Sequence, residues 1–283
     1  MVLLKKLRRE KENNFKTMSR LIKTTEEINL IREGGHKLGA ILAKLASVVK
    51  PGFTSAELET LALKLIKQAG GRPAFKNFKP SAQSRPFPTA LCISINNEIV
   101  HGPALPNRVF QEGQIVSIDI GMEYPVTKGQ PGYFTDTALT VAVGNISAEA
   151  KKLLQATKEG LAAGIEAVKS GHTLDHIGTA VEKVAKKNQL GVIRDLVGHG
   201  VGLEVHEEPQ IPNYHIKANE FPNLTLKEGM VIAIEPMFTL GKEGIKVASD
   251  GFTFITEDNS LSAHFEHTVL VTREGYEIIT SSE

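Results

Sequence analysis

Apolar residues recur at the three-to-four-residue spacing of an amphipathic helix in the first part of the chain. After Thr24 they stand at Ile28, Ile31, Leu38, Ile41, Leu42 and Leu45, and after Thr54 at Leu58, Leu61 and Leu65. Thr24 with Glu27, and Thr54 with Glu57, have the spacing of capping boxes, which mark helix starts. The pattern predicts one helix from 24 to 49 and a second from 54 to the stop at Gly70-Gly71.

Strand-like runs follow these helices. Apolar and β-branched residues dominate TALCISI (89–95), QIVSIDI (114–120) and YFTDTALTVAV (133–143), which predict three strands. The order of elements then repeats, with helices predicted over 147–168 and 173–188, and strands near 192–197, 230–235, 252–256 and 266–272.

The two halves of the chain also resemble each other in sequence. KPGFT (50–54) is echoed by KSGHT (169–173), and EGQIVSIDIG (112–121) by EGMVIAIEPM (228–237). DTALTV (136–141) has the pattern of EHTVLV (266–271). We interpret the echoes as two similar halves related by a pseudo-twofold axis, each supplying two acid-bearing strands to one centre.

Four acids stand inside these apolar strands: Asp119 in IVSIDIG, Asp136 in FTDTAL, Glu235 in VIAIEPM and Glu266 in HFEHTV. Taken singly, each acid could be paired with a nearby lysine or with backbone amides. Brought together by the repeat, the four would repel one another unless cations neutralise them. Carboxylates with one neutral imidazole, from His199, suit two ions of Mn(II), Fe(II), Co(II) or Zn(II).

The segment LVGHGVGLEVHEEPQIP (196–212) holds two histidines seven positions apart. It is either a plain strand and turn or the wall of an active site. In an active site, His199 would supply a metal ligand and His206 could bind substrate. His101 in NNEIVHGPAL is a further candidate, although a lone histidine beside Gly-Pro is more often structural.

Composition and charge narrow the function classes. The net charge of +1 does not favour nucleic-acid binding, and no apolar run reaches the roughly 18 to 20 residues that cross a bilayer. Cys92 is the only cysteine, which excludes an internal disulfide and fits a reducing cytoplasm. Residues 1–20 are rich in Lys, Arg, Glu and Asn and show little apolar face, so we expect a solvated, flexible tail. Two explanations are open: the start codon is misassigned and the protein begins at Met18, or the tail is a basic arm that binds ribosomal RNA.

Six segments together resemble the motifs of type I methionine aminopeptidases: NNEIVHG, SIDIG, FTDTA, GHGVGLEVHEEPQIP, AIEPM and SLSAHFEHTVLVT. The resemblance covers residues 21 to 280. It implies a pita-bread fold of the α/β (α+β) class over residues 21–283, with two pseudo-symmetric halves, an antiparallel sheet and outer helices. It also implies two divalent ions and removal of the initiator methionine from nascent proteins, preferably when the second residue is small. Carried over by motif, the metal ligands are Asp119, Asp136, His199, Glu235 and Glu266. His101 and His206 would be the substrate-contacting catalytic histidines, and Glu235 would also be the nearby base. The glycines around His199 would let the backbone pass close to the metals, and residues 207–209 would shape the turn that leaves the site.

The resemblance also marks a methionine pocket, which departs from the family. Cys92 matches a pocket position, whereas Phe87 and Phe252 stand where Tyr and Trp are frequent. Further departures are Ser84 for Tyr, Val205 for Phe and His264 for Gln. The 17-residue step from Asp119 to Asp136 is longer than usual, and we interpret its PVTKGQPGY segment as a longer hairpin that keeps both acids in place.

Two other functions are the alternatives. Xaa-Pro aminopeptidases and creatinases share the fold but usually carry a sizeable extra N-terminal domain, and five intact ligand positions disfavour a non-catalytic ribosome- or RNA-binding factor. Glu235 lies only 29 positions after His206, which favours type I over the type II branch, where a helical subdomain is usually inserted between the two. We expect a cytoplasmic monomer that acts on the N-terminal methionine of nascent chains, with a transient ribosome contact.

Overall fold

Four helices occur in the part of the chain that the computed structural model describes, residues 21–218 and 220–282. They are α1 (Thr25–Val48), α2 (Ser55–Gln68), α3 (Ala148–Glu166) and α4 (Leu174–Asn188). All four confirm the helices predicted from the apolar spacing, with ends shifted by one or two residues. The tail predicted over residues 1–20 lies outside the described residues. No helix in the described ranges is long and apolar enough to span a bilayer.

Local hydrogen bonds explain where the helices begin. The Thr24 side chain accepts from the Glu27 backbone N–H at 3.2 Å, and the Glu27 carboxylate accepts from the Thr24 N–H at 2.7 Å. Thr54 and Glu57 form the second capping box in the same way. At α4, the Thr173 N–H donates to His176 Nδ1 at 3.1 Å. The echoed segments KPGFT and KSGHT therefore both end at the residue that precedes a helix.

Fifteen strands form three antiparallel sheets within the described residues. The main sheet contains β1 (Arg72–Pro73), β2 (Leu91–Ile95), β4 (Ile115–Tyr124), β5 (Tyr133–Ala142), β7 (Gly198–Gly200), β8 (Glu207–Ile211), β9 (Val231–Ile234), β14 (Glu266–Val271) and β15 (Tyr276–Ile278). One small sheet contains β6 (Gly191–Val192), β10 (Met237–Thr239) and β13 (Ser262–His264). The other contains β3 (Glu98–Val100), β11 (Ile245–Val247) and β12 (Phe254–Thr256).

The main sheet joins the two halves of the chain. Its order is β1-β4-β5-β14-β9-β7-β8, so the first half's pair β4–β5 lies directly beside the second half's pair β14–β9. Helices α1 and α2 bury Leu38 and Leu58 in a core with Ile118 of β4. Helices α3 and α4 contribute to a second core that contains strands β9 and β14. The helices of each half thus pack against the strands of the same half, which agrees with the predicted pseudo-twofold arrangement.

The long hairpin predicted between the first two acids is confirmed. Strands β4 and β5 pair without interruption from Ile115↔Ala142 to Tyr124↔Tyr133, and residues 125–132 form the connection. Glu123 anchors this end, because its carboxylate contacts the Arg72 guanidinium and accepts from the Gly132 N–H at 3.0 Å. The extra residues lie beyond the paired region, so they do not shift the register of the acids.

Two sequence predictions of local structure are wrong. The strand predicted near 192–197 ends at Val192, because Arg194 leaves the sheet to contact Glu182 of α4 at 2.7 Å and to stack over the Tyr214 ring at 4.3 Å. The turn predicted at residues 207–209 is instead the start of β8, which pairs with β7. Polar side chains fit this strand because Glu208 and Gln210 are exposed.

Candidate metal centre and active site

Strand register places the acids of β4, β5 and β14 on one face of the main sheet. Asp119 of β4 is paired with Ala138 of β5, and Ala138 is paired with Glu266 of β14. Directly paired residues of an antiparallel ladder point to the same side. The small Ala138 side chain separates two acids, and Asp136 lies on the same face opposite Gly121, which has no side chain. The sheet therefore leaves space between the carboxylates.

The second half brings a fourth acid and an imidazole to this face. Glu235 follows β9 directly, and its backbone oxygen accepts from Asn213 Nδ2 at 3.2 Å. His199 of β7 is paired with Ala233, two residues before Glu235. Its Nδ1–H donates to the Gly200 carbonyl at 2.9 Å, so the neutral ring carries its lone pair on Nε2. That atom lies 3.5 Å from Glu235 Oε1 and 3.9 Å from Asp136 Oδ2.

All five predicted metal ligands therefore meet in one cluster. Donor atoms lie within 4.8 Å of one another in three overlapping groups: Asp119, Asp136 and Glu266; His199, Glu235 and Glu266; Asp136, His199 and His206. The prediction that these acids converge is borne out by this geometry, and their role as ligands stays a prediction.

Burial and mutual repulsion shift the pKa values of the acids upward. Burial raises the pKa of Asp119 to about 7, an effect that contacts with Asp136 and Cys92 partly offset. Burial, followed by the charges of neighbouring acids, raises the pKa values of Asp136, Glu235 and Glu266 well above their usual range. Among the described residues, the charged groups that shift the pKa values of these four acids are other acids. Pairing with a lysine therefore does not explain why these acids are buried.

The donor set fits divalent cations. Asp119 Oδ1 and Asp136 Oδ1 are buried and have no hydrogen-bond partner in the described part of the chain. Burial lowers the pKa of His199 to about 3, so the ring is neutral and its Nε2 lone pair is available. Hard carboxylate oxygens with one imidazole nitrogen are ligands for Mn(II), Fe(II), Co(II) or Zn(II). A bound cation would offset the repulsion between the acids and would give these two oxygens a partner.

An apolar cavity of about 530 Å³ opens beside the cluster, and all five predicted ligands line it. The predicted pocket residues Phe87, Cys92 and Phe252 also line it. The Phe87 and Phe252 rings meet edge to face, with centroids 5.6 Å apart. The cavity therefore joins a carboxylate-rich side to an aromatic side of a size that suits a small apolar side chain.

The two predicted substrate histidines face this cavity. His206 lies with its ring centroid 4.5 Å from that of His199 and 5.2 Å from that of Phe78. His101 directly follows β3, and its backbone lies in the left-handed region at φ +60°. Its ring centroid is 5.5 Å from that of Phe254. Both rings line the cavity, where desolvation lowers the pKa of His206 and, with a smaller effect of the neighbouring His206, lowers that of His101 to about 4. Both imidazoles are neutral at neutral pH.

Comparison with known proteins assigns the chain to a family. The profile of metallopeptidase family M24 matches residues 29–273. Methionine aminopeptidase 1 of Bacillus subtilis is 40% identical over 261 residues, which cover 92% of this chain and 98% of that protein. The methionine aminopeptidase of Aquifex aeolicus is 43% identical over 254 residues, covering 90% and 96%.

The chain is a methionine aminopeptidase-type member of metallopeptidase family M24.

The solved structures agree with this M24 assignment. The crystal structure of a methionine aminopeptidase from Thermotoga maritima has a TM-score of 0.83 at 39% identity, and the match covers 92% of this chain and 98% of that one. The pita-bread fold and the α+β class predicted from the motifs are thus confirmed. A prolidase from Pyrococcus horikoshii matches with a TM-score of 0.71 at 22% identity over 65% of its own chain, which shows the shared fold alone.

Sequence reasoning missed several residues of this M24 site. Phe75, Phe78 and Phe254 line the cavity, and Arg85 lies at its lining with its guanidinium over the Phe252 ring at 4.6 Å. The aromatic spacing in AFKNF, after the Gly70-Gly71 helix stop, was the available signal for the first two. That segment has neither helical nor strand period, so the pattern did not indicate which way its side chains point.

Proposed function

We propose that the chain hydrolyses the first peptide bond of proteins and peptides that begin with methionine, and releases that methionine. The observation that carries this proposal is the cluster of four buried acids and one neutral imidazole beside an apolar cavity. Close relatives named methionine aminopeptidases support it, since they match over nearly their full length. Release would be favoured when the second residue is small.

We propose that Asp119, Asp136, His199, Glu235 and Glu266 hold two divalent ions, chosen among Fe²⁺, Mn²⁺, Co²⁺ and Zn²⁺. When bound, such ions supply the positive charge that the acids need and a Lewis acidity that activates water and the scissile carbonyl near neutral pH. Support comes from the three overlapping donor groups within 4.8 Å. Two of these groups contain only proposed ligands, namely Asp119, Asp136 and Glu266, and His199, Glu235 and Glu266. Together these two groups suit two ions.

The remaining roles follow from which proton each side chain can hold. The Glu235 carboxylate has a pKa raised by burial, so it can take a proton from attacking water and deliver it to the leaving amine. His206 is neutral and lies beside His199, where a ring N–H can donate to the carbonyl oxygen as it gains negative charge. His101, held in its left-handed conformation, would contact the scissile amide nitrogen.

The aromatic side of the cavity would bind the methionine side chain. Phe87 and Phe252 present an edge-to-face pair, and thioether sulfur contacts aromatic rings favourably. Cys92 is paired with Asp119 in the ladder, so it places a small apolar group between the pocket and the acids. This arrangement would position the first peptide bond over the carboxylate cluster.

We propose that residues 21–283 form one catalytic domain that acts as a monomer in the cytoplasm, with a transient ribosome contact. The single cysteine supports the reducing compartment. The basic residues among positions 1–20 support the ribosome contact.

The test is release of N-terminal residues by the purified protein after metal removal and separate loading with Mn(II), Fe(II), Co(II) or Zn(II). The substrates are Met-Ala-Ser, Leu-Ala-Ser, Met-Lys-Ser and Ala-Pro-Ser. We expect metal-dependent release of methionine from Met-Ala-Ser and little from Met-Lys-Ser. Cleavage of Ala-Pro-Ser alone would assign Xaa-Pro activity instead, and no release with any metal would refute the proposal.

A further inference from the structure

His264 is a buried histidine whose backbone is firmly held. It ends β13, is paired with Met237 of β10, and is 1% exposed. Its N–H donates to Thr140 Oγ1 at 2.9 Å, and the Thr140 hydroxyl contacts the His264 carbonyl at 2.8 Å. Sheet pairing and these contacts leave the side chain little choice of direction.

The side chain of His264 has no hydrogen-bond partner at either ring nitrogen within residues 21–218 and 220–282. A buried polar group without a partner destabilises the folded state, so an imidazole that lacks two partners calls for a function. Its Nε2 lies 3.6 Å from Oε2 of Glu235. That separation is about half an ångström longer than an N–H···O hydrogen bond, and hydrogen bonds in ligand-free active sites are often long.

The Glu235 carboxylate therefore lies between two imidazoles of opposite character. Oε1 faces Nε2 of His199 at 3.5 Å, and Oε2 faces Nε2 of His264 at 3.6 Å. The Nδ1–H of His199 is used by the Gly200 carbonyl, so its Nε2 presents a lone pair, as a metal ligand does. For His264 only the tautomer with the proton on Nε2 is attracted to the carboxylate, because the other tautomer sets a lone pair against Oε2.

We propose that His264 is a positioning residue, which donates from Nε2–H to Glu235 Oε2 and orients that carboxylate at the metal centre. The proposal rests on the proposed function of Glu235 as ligand and base. Outer hydrogen bonds to metal-binding carboxylates fix their orientation and strengthen binding. A glutamine side chain also carries an N–H donor, so it would keep at this position the property that the proposal assigns to His264.

The experiment compares His264→Gln, which keeps a donor, with His264→Leu, which removes it. His267→Gln is the matched control, since His267 is a neighbouring histidine of β14 whose Nδ1 is hydrogen-bonded to Thr280 at 2.9 Å. Calorimetric titration of metal-stripped protein with Mn(II) gives the affinity. Steady-state cleavage of Met-Ala-Ser separates kcat from KM, and nitrogen NMR of ¹⁵N-histidine-labelled protein identifies the tautomer of His264.

We expect His264→Leu to lower Mn(II) affinity and kcat by about 10- to 100-fold with little change in KM. His264→Gln and the His267→Gln control should stay close to wild type, and the wild-type His264 ring should carry its proton on Nε2. Wild-type metal affinity and kcat in His264→Leu would overturn the proposal, as would a Gln variant as defective as the Leu variant. A proton on Nδ1 would overturn it even if the Leu variant failed to fold. Failure of the proposed function looks different, because the wild type itself would then release no methionine.

Discussion

The metal-free protein should become more stable when Asp119 is replaced by asparagine, and the gain should grow with pH. Asp119 is 8% exposed, and burial raises its pKa from 3.8 to about 7. Asparagine keeps the shape of the side chain and removes the charge. The substitution therefore isolates the electrostatic cost of a buried acid from the packing of strand β4.

The sign follows from proton binding. In the unfolded chain Asp119 loses its proton near pH 3.8, whereas in the folded chain it keeps the proton until about pH 7. Between these values the folded state binds more protons, so the metal-free protein loses stability as pH rises and the loss is complete above pH 7. The difference between the folded and unfolded pKa of Asp119 lowers the free energy of unfolding by about 4 kcal/mol in total, at about 1.4 kcal/mol per pKa unit. About 3 kcal/mol of this loss falls between pH 5 and pH 8.

Urea unfolding of metal-stripped wild type and Asp119→Asn, followed by circular dichroism at pH 5 and pH 8, measures this difference. Any pH-independent packing cost of asparagine cancels in the comparison of the two pH values. We expect the stability difference to move by about 3 kcal/mol in favour of Asp119→Asn between pH 5 and pH 8. The exposed Asp195→Asn serves as a charge control that should leave the pH dependence unchanged. A constant or reversed difference would refute the reasoning, whereas saturating Mn(II) should restore the advantage of the wild type.

Three further perturbations test other parts of the structure. His206→Ala should lower kcat by about 100-fold or more while calorimetry still finds both metals bound; loss of metal would instead make His206 a ligand. Lys23→Met should destabilise the protein to urea by about 3 kcal/mol, because it leaves Glu207 buried without the Nζ contact at 2.7 Å. Arg273→Met, which removes an ion pair with Glu274 whose side chains are 83% and 88% exposed, should cost under about 1 kcal/mol in the same assay, and equal losses would contradict the burial argument. Deletion of residues 1–17 should leave Met-Ala-Ser cleavage unchanged, because that sequence lacks an apolar face, and a collapse of folding would contradict it.

The helices were predictable because their signals are local. Thr24 and Thr54 carry their capping partners three residues later, and the apolar period needs no knowledge of the partner surface. Strands as short as β10 and β13 were not predicted, since three residues hold too little periodicity to differ from a turn. Their pairing depends on residues far away in sequence, which no local pattern contains.

The site was predictable as a set of residues but not as a geometry. The glycines around His199 also have a role in strand packing, which the sequence did not predict. A side chain at Gly198 would collide with the Ala233 carbonyl, and one at Gly200 with the Glu208 carbonyl, so these glycines let β7 approach its two neighbouring strands. Close strand pairing, which the sequence pattern does not reveal, is what brings His199 beside Glu235.

The internal repeat predicted that two acid-bearing strand pairs would meet, and it did not predict their register. In the first half Asp119 is opposite Ala138, and Asp136 is opposite Gly121. In the second half the last ladder pair is His267 with Ile234, so the next step places Glu266 beside Glu235 itself. The halves are therefore alike in strand order and different in register, because the first-half acids are opposite Ala138 and Gly121 and the second-half acids are opposite each other. Burial and neighbouring acids raise the pKa values of Glu235 and Glu266. The proposed Nε2–H donor of His264 lies 3.6 Å from Glu235 Oε2, so it would stabilise the charged form of this second pair.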